Sequence, residues 1–169
     1  MEQVMGAGVA LCGEFFVQNW APDGQLKWAV REKNLVVNAG ITKMLQVLFA
    51  GCAVVSTWYV GLAGSSLTAA SGDTMASHAG WTEITGFGTA TRAVFVDVIS
   101  GKAVTNSAST VAYAINTANT IGGAFLASTN NKGGSTGTLL CVVTFTAGDK
   151  AATAGDTLTV TYSFSAADA

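Results

Sequence analysis

The segment 157–164 leaves the chain few options. Leu158, Val160, Tyr162 and Phe164 alternate with Thr157, Thr159, Thr161 and Ser163. Strict period-two alternation puts one row of side chains on a buried sheet face and the other row in water. A half-buried strand of this kind needs hydrogen-bonded neighbours and a second layer over its apolar row. The fold must therefore hold further strands, and the rest of the chain supplies them.

A hairpin opens the organised part. Residues 14–20 lead into Ala21-Pro22-Asp23-Gly24, whose Pro-Asp-Gly is a turn signal. Leu26, Trp28 and Val30 then point one way and Lys27 and Arg31 the other. At Asn38 the period changes. Asn38 reads as an N-cap, and Ile41, Met44, Leu45, Leu48 and Phe49 recur at helical spacing until Gly51. This predicts one amphipathic helix near residues 39–50, packed on a sheet. Beyond it, strands are predicted over 54–63, 81–85, 92–99 (Val94, Val96 and Val98 alternating), 109–116 paired with 120–128, and 138–146. A long Ser/Ala/Gly-rich loop fills 64–80, and Gly122-Gly123 inside a strand pattern implies a bulge or a close backbone approach. Short strands closed by glycine turns predict a mainly β fold, an antiparallel β-sandwich of jelly-roll-like type with that one helix. No repeat or composition shift divides the chain, so residues 1–169 read as a single domain.

The surface is short of charge. Charged residues make up 11% of the chain, against about 25% in an ordinary soluble protein. Such a surface either meets other protein, as charge-depleted interface centres do, or is coated with serine and threonine. Net charge −2 and scattered basic residues argue against nucleic acid; the closest group, Lys27, Arg31 and Lys33, reads as the wet face of one strand. The longest apolar run, 41–55, is interrupted by Lys43, Gln46 and Gly51, too short for a membrane span. The start, with Glu2 and no basic stretch, does not resemble a secretory signal, which implies a cytoplasmic product. Cys12, Cys52 and Cys141 are widely spaced and read as free, mostly buried thiols.

Chemistry-bearing groups are sparse. The single histidine, His78, has Ser77 beside it and Asp73 and Glu83 nearby, but no G-x-S-x-G elbow surrounds any serine. A pair of His78 and Asp73 falls short of a zinc site, and no calcium-loop spacing occurs. The expectation is no catalytic residue, no metal and no cofactor. The tryptophans carry two readings, core or contact platform. Trp28 and Trp58 lie inside strand patterns and are assigned to the core. Trp20 and Trp81 sit beside turns and are the protein-contact candidates, together with Met1, Val4, Met5 and Val9 of the apolar start. Residues 1–11 read either as an extended arm that adds a strand to a neighbour or as an ordinary first strand.

Three segments carry a resemblance: residues 34–40 (Asn-Leu-Val-Val-Asn-Ala-Gly), 58–62 (Trp-Tyr-Val-Gly-Leu), and 73–83 (Asp-Thr-Met-Ala-Ser-His-Ala-Gly-Trp-Thr-Glu). Residues 105–108, 123–126 and 155–158 continue it in the same order. From about Leu11 onward the chain resembles a family of small virion structural proteins of tailed bacteriophages. The resemblance implies a non-enzymatic protein of the virion, made in the bacterial cytoplasm. A capsid decoration (cement) protein, a homo-oligomer bound to the major capsid protein, fits best. A tail, connector or fibre-associated protein is the second expectation. From another class, a carbohydrate-binding module would need Trp20 or Trp81 on an exposed platform.

Overall fold

A computed structural model describes residues 8–168. In chain order the elements are β1 (Val9–Trp20), β2 (Leu26–Lys33), β3 (Leu35–Val36), α1 (Asn38–Phe49), β4 (Trp58–Gly64), β5 (Ala93–Phe95) and β6 (Val98–Ser100). There follow β7 (Ala103–Thr105), β8 (Val111–Ala114), β9 (Asn119–Ala127), β10 (Leu139–Thr144), β11 (Lys150–Ala152) and β12 (Thr157–Asp168). They form two antiparallel sheets. Sheet A runs β2-β1-β12-β7-β6, with β8 also on β12; sheet B runs β3-β10-β9-β4-β5, with β11 also on β9. The architecture is mainly β with one helix among the described residues, an antiparallel β-sandwich.

Sheet A is built on β12, where Leu158, Val160 and Tyr162 point into the core as the alternation requires. β1 pairs along its whole length with β12, from Val9 opposite Asp168 to Trp20 opposite Thr157. The predicted β1–β2 turn forms: Gly24 N–H donates to Ala21 O, and Gln25 N–H to the Asp23 side chain. Phe15, Val17, Val30, Val111 and Tyr113 complete the inner face. Against them sheet B sets Val60, Leu62, Ile121, Leu126, Cys141 and Val143, so one apolar cluster is shared by both sheets.

Sheet B has a second buried face. Ala63, Phe125, Ala127, Leu139 and Val142 point away from sheet A and pack under Val37, Leu67, Met75 and Trp81. The loop 64–82 is therefore a cover for the outer side of sheet B. The Gly122-Gly123 pair meets the expected close approach: a Cβ at these positions would collide with Gly64 O and Val143 O, respectively.

Several predicted elements differ. Residues 81–85 form no strand, only a single bridge from Glu83 to Ala63. The predicted strand 92–99 splits into β5 and β6, the edge strands of different sheets, and its alternation is not kept. Phe95 points inward, while Val94, Val96 and Val98 are exposed. β8 and β9 do not pair with each other, since β8 joins β12 and β9 joins β4, β10 and β11. In α1 the N-cap is Val37, with no side-chain hydrogen bond, and Asn38 is already helical.

Candidate interaction surface

Helix α1 was expected to bury its apolar stripe on a sheet. It touches sheet B only along a narrow line. At Gly40 the helix comes so close to β10 that a Cβ would strike Leu140 O, and Met44 packs half-buried against the shared core. Leu45 and Val54 are exposed, Leu48 is 72% exposed and Phe49 is 83% exposed. Of the predicted stripe only Met44 packs on the core, while Ile41, Leu45, Leu48 and Phe49 are exposed.

Two apolar hollows lie along the inner side of this helix. The first, of about 320 Å³, is bounded by Met44, Leu48, Val54 and Trp58. The second, of about 260 Å³, is bounded by Met44, Trp58, Ile99, Val104 and Phe164. Met44 and Trp58 line both hollows. Trp58 is thus half-buried wall rather than closed core. The charged residue lining the first hollow is Lys43 and the one lining the second is Asp97.

The tryptophans selected as contact candidates separate. Trp81 is 4% exposed and belongs to the core beneath the 64–82 loop, which corrects its expected surface role. Its ring packs on Phe125 at 4.9 Å between centroids and stacks with His78 at 3.9 Å. The Trp81 indole Nε1 donates to Asp73 Oδ2 at 3.0 Å. Trp20 stays half-buried on the outer side of sheet A, donating from Nε1 to Thr159 Oγ1 at 3.2 Å. Of the two, Trp20 alone retains surface for a sugar or a protein. Trp28 is half-buried as well, with its Nε1 donating to Ala151 O. Val9 opens β1 and is exposed, and Val9–Leu11 pair with Ala166–Asp168 as an ordinary strand. Met1, Val4 and Met5 lie outside the described residues.

The chemistry-bearing groups hold structure together. His78 Nδ1 sits 2.9 Å from Trp81 O, and the Asp73 carboxylate accepts from Trp81 Nε1 and the Ala70 N–H. His78 and Asp73 thus both serve Trp81, and Asp73 does not orient the imidazole as a triad would need. Glu83, the other acidic neighbour, makes a bidentate pair with Arg92: Nε to Oε1 at 2.9 Å and Nη2 to Oε2 at 2.7 Å. Both side chains are buried, and Arg92 also donates to Thr129 O and Gly134 O. This staple ties three loops together and had no signature in the sequence. Cys12 and Cys52 are exposed, contrary to the expectation of mostly buried thiols. Cys141 is buried, and burial pushes its thiol up to about 12, which leaves it unreactive.

Lys27, exposed as expected, also reaches Asp156 Oδ2 at 2.7 Å. Burial alone would raise the pKa of this carboxyl. Donors from Lys27, the Thr153 N–H and Asn19 outweigh burial and hold it well below the usual carboxylate range. Among the described residues no group of three or more His, Cys, Asp or Glu is placed to hold a metal ion. No described helix is long and apolar enough to cross a membrane. No family model matches the chain, and no match was found among curated proteins or solved structures.

Proposed function

We propose that this chain is a non-enzymatic structural protein of a tailed-phage particle, a capsid decoration protein that stabilises the head by binding the major capsid protein. The observation that carries this reading is the exposed apolar surface of α1 and the β5–β6 edge. Contiguous apolar patches beyond a few hundred Å² mark interaction sites on otherwise soluble domains. A chain with only 11% charged residues adds little to keep such a surface apart from other protein. The likeness of residues 34–40, 58–62 and 73–83 to virion proteins supports the choice of particle.

The mechanism is recognition without chemistry. A rigid sandwich that binds only the assembled shell adds the free energy of that contact to the shell, and so favours it by mass action. Cryo-electron microscopy of intact particles from the encoding phage tests this. Density for the chain repeated over the icosahedral shell is the expected result. Density confined to the portal vertex or tail moves the protein to a tail, connector or fibre role. Absence from the particle refutes the virion reading altogether.

A further inference from the structure

We propose that the first hollow, between α1 and the segment that leads into β4, is a binding site for a medium-chain alkyl carboxylate. The proposal goes beyond the assembly role and does not rest on it. Gly40, Lys43, Met44, Val47 and Leu48 line the hollow from the helix. They fall at i, i+3, i+4, i+7 and i+8, so one face of α1 forms that wall. After the helix Gly51 takes a φ of 64°, Cys52 N–H donates to Gln46 O, and the chain returns to add Val54 and Trp58 to the lining. Lys43 Nζ donates to Ala53 O at 2.9 Å and so ties the helix to the returning segment.

Lys43 selects the ligand. It is the one charged residue in an otherwise apolar lining, and it is half-buried. An ammonium has three donors, and Lys43 uses one on Ala53 O. No Asp or Glu among the described residues lies within ion-pairing distance of it. Two donors therefore remain for the oxygens of a ligand carboxylate, while the apolar walls take its chain. A single cation suits a singly charged head, whereas a phosphate monoester would bring further negative charge with nothing to meet it.

Size sets the chain length. The hollow holds about 320 Å³, inside the range of roughly 300–1,000 Å³ for small-molecule sites. An apolar cavity of about 150 Å³ takes benzene, so twice that volume takes about twelve heavy atoms, which is decanoate. The second hollow is smaller, about 260 Å³, and its charged residue, Asp97, is exposed. The first is the better built of the two.

Isothermal titration calorimetry of the full chain with hexanoate, octanoate and decanoate, each below its micellar concentration, tests the proposal. One molecule should bind per chain, about fourfold tighter for each added methylene, with no further gain beyond decanoate. Octan-1-ol should bind about tenfold more weakly than octanoate, the loss expected for a charge-assisted hydrogen bond. Lys43→Met should bring octanoate down to the level of octan-1-ol and leave the alcohol unchanged. Lys43→Glu should take octylammonium in place of octanoate. Val47→Phe should fill the hollow and abolish binding of acid and alcohol alike. If circular dichroism shows Val47→Phe to be misfolded, the Lys43 variants decide the matter.

No binding of any acid up to millimolar concentration overturns the proposal, as does octan-1-ol binding as tightly as octanoate. Several molecules per chain, or affinity that climbs steadily past decanoate, would show adsorption on exposed apolar surface and overturn it too. Binding of the chain to purified particles is a separate measurement. A chain that takes decanoate and ignores particles refutes the virion role alone, and one that decorates particles without binding any acid refutes the carboxylate site alone.

Discussion

The two sheets share one core, yet their outer faces differ. The outer face of sheet A is bare: Thr157, Thr159 and Thr161 of β12 and Lys27 and Arg31 of β2 point into solvent or lie half-buried. The outer face of sheet B is roofed by the 64–82 loop and the start of α1, with Trp81 and Met75 as the main filling. A sheet wet on one side must alternate, whereas a sheet dry on both sides has no polar row to reveal its period. The contrast is visible in burial. β12 alternates, while residues 121–127 of β9 and 139–143 of β10 are buried without a break.

The largest test of this difference removes the same residue type from each outer face. Trp81→Ala takes a buried ring from the roof and leaves the Asp73 carboxylate without its indole donor; it should cost about 3–5 kcal/mol. Trp20→Ala removes a half-buried ring on sheet A and should cost at most about 1 kcal/mol. Urea unfolding midpoints measure both. Equal costs would mean that the loop is a loose cover rather than part of the core.

An intermediate effect sharpens the comparison at the open side, where polar groups fasten the turn before β12. Asp156 accepts from Asn19, Lys27 and Thr153, and its carboxyl is held low in the folded state. A depressed folded value means that the unfolded chain binds the proton first. The stabilisation is therefore complete above the unfolded carboxyl pKa of about 3.9 and is lost as pH falls below it. Asp156→Asn should cost about 1.5–3 kcal/mol at neutral pH, the range for hydrogen bonds to a charged group. The gap to the wild type should then narrow in acid. A constant gap across an acid titration of stability would show that the charge of Asp156 plays no part.

The same contrast explains what could be read in advance. β12 and the β1–β2 hairpin were legible because water on one face imprints a period and Pro22-Asp23-Gly24 marks the turn. The extent of α1 was legible from Ile41, Met44 and Leu48, but its orientation was not. The close approach of Gly40 to β10 depends on a strand a hundred residues later. Val94, Val96 and Val98 read as a half-buried strand, but all three lie exposed at two different sheet edges, and of residues 94–99 only Phe95 is buried. The pairing of 109–116 with 120–128 assumed that sequence neighbours pair. The alternating burial of β8 beside the unbroken burial of β9 is the sign that they belong to different sheets. Trp81 looked like a contact residue because its roof is a loop, and loops ordinarily lie on the surface. As for the two apolar hollows beside α1, their walls come from elements far apart in the chain, including α1, β4, β6 and β12, and no local pattern joins them.

The smallest effect concerns reactivity rather than stability, and it places one thiol on each side of the comparison. Cys12 lies in β1 at the exposed end of sheet A, and Cys52 follows α1; both are open to solvent. Cys141 lies in β10, facing the shared core, with its Sγ 3.4 Å from Tyr162 Oη. A thiol reacts as the thiolate, so burial acts twice on Cys141, by raising its pKa and by shutting out the reagent. A disulfide reagent at mildly alkaline pH should therefore titrate two thiols promptly and the third only as the molecule opens. The rate for Cys141 should follow the opening equilibrium and rise with urea, while the rates for Cys12 and Cys52 should change little. Trp81→Ala, which loosens the roof but leaves the inner face of β10 in place, gives the decisive control. If the two faces of sheet B open as one unit, the variant should speed Cys141 by the factor its stability loss predicts. If the roof opens by itself, Cys141 should stay protected while the Trp81 mutation takes its full toll on the 64–82 loop.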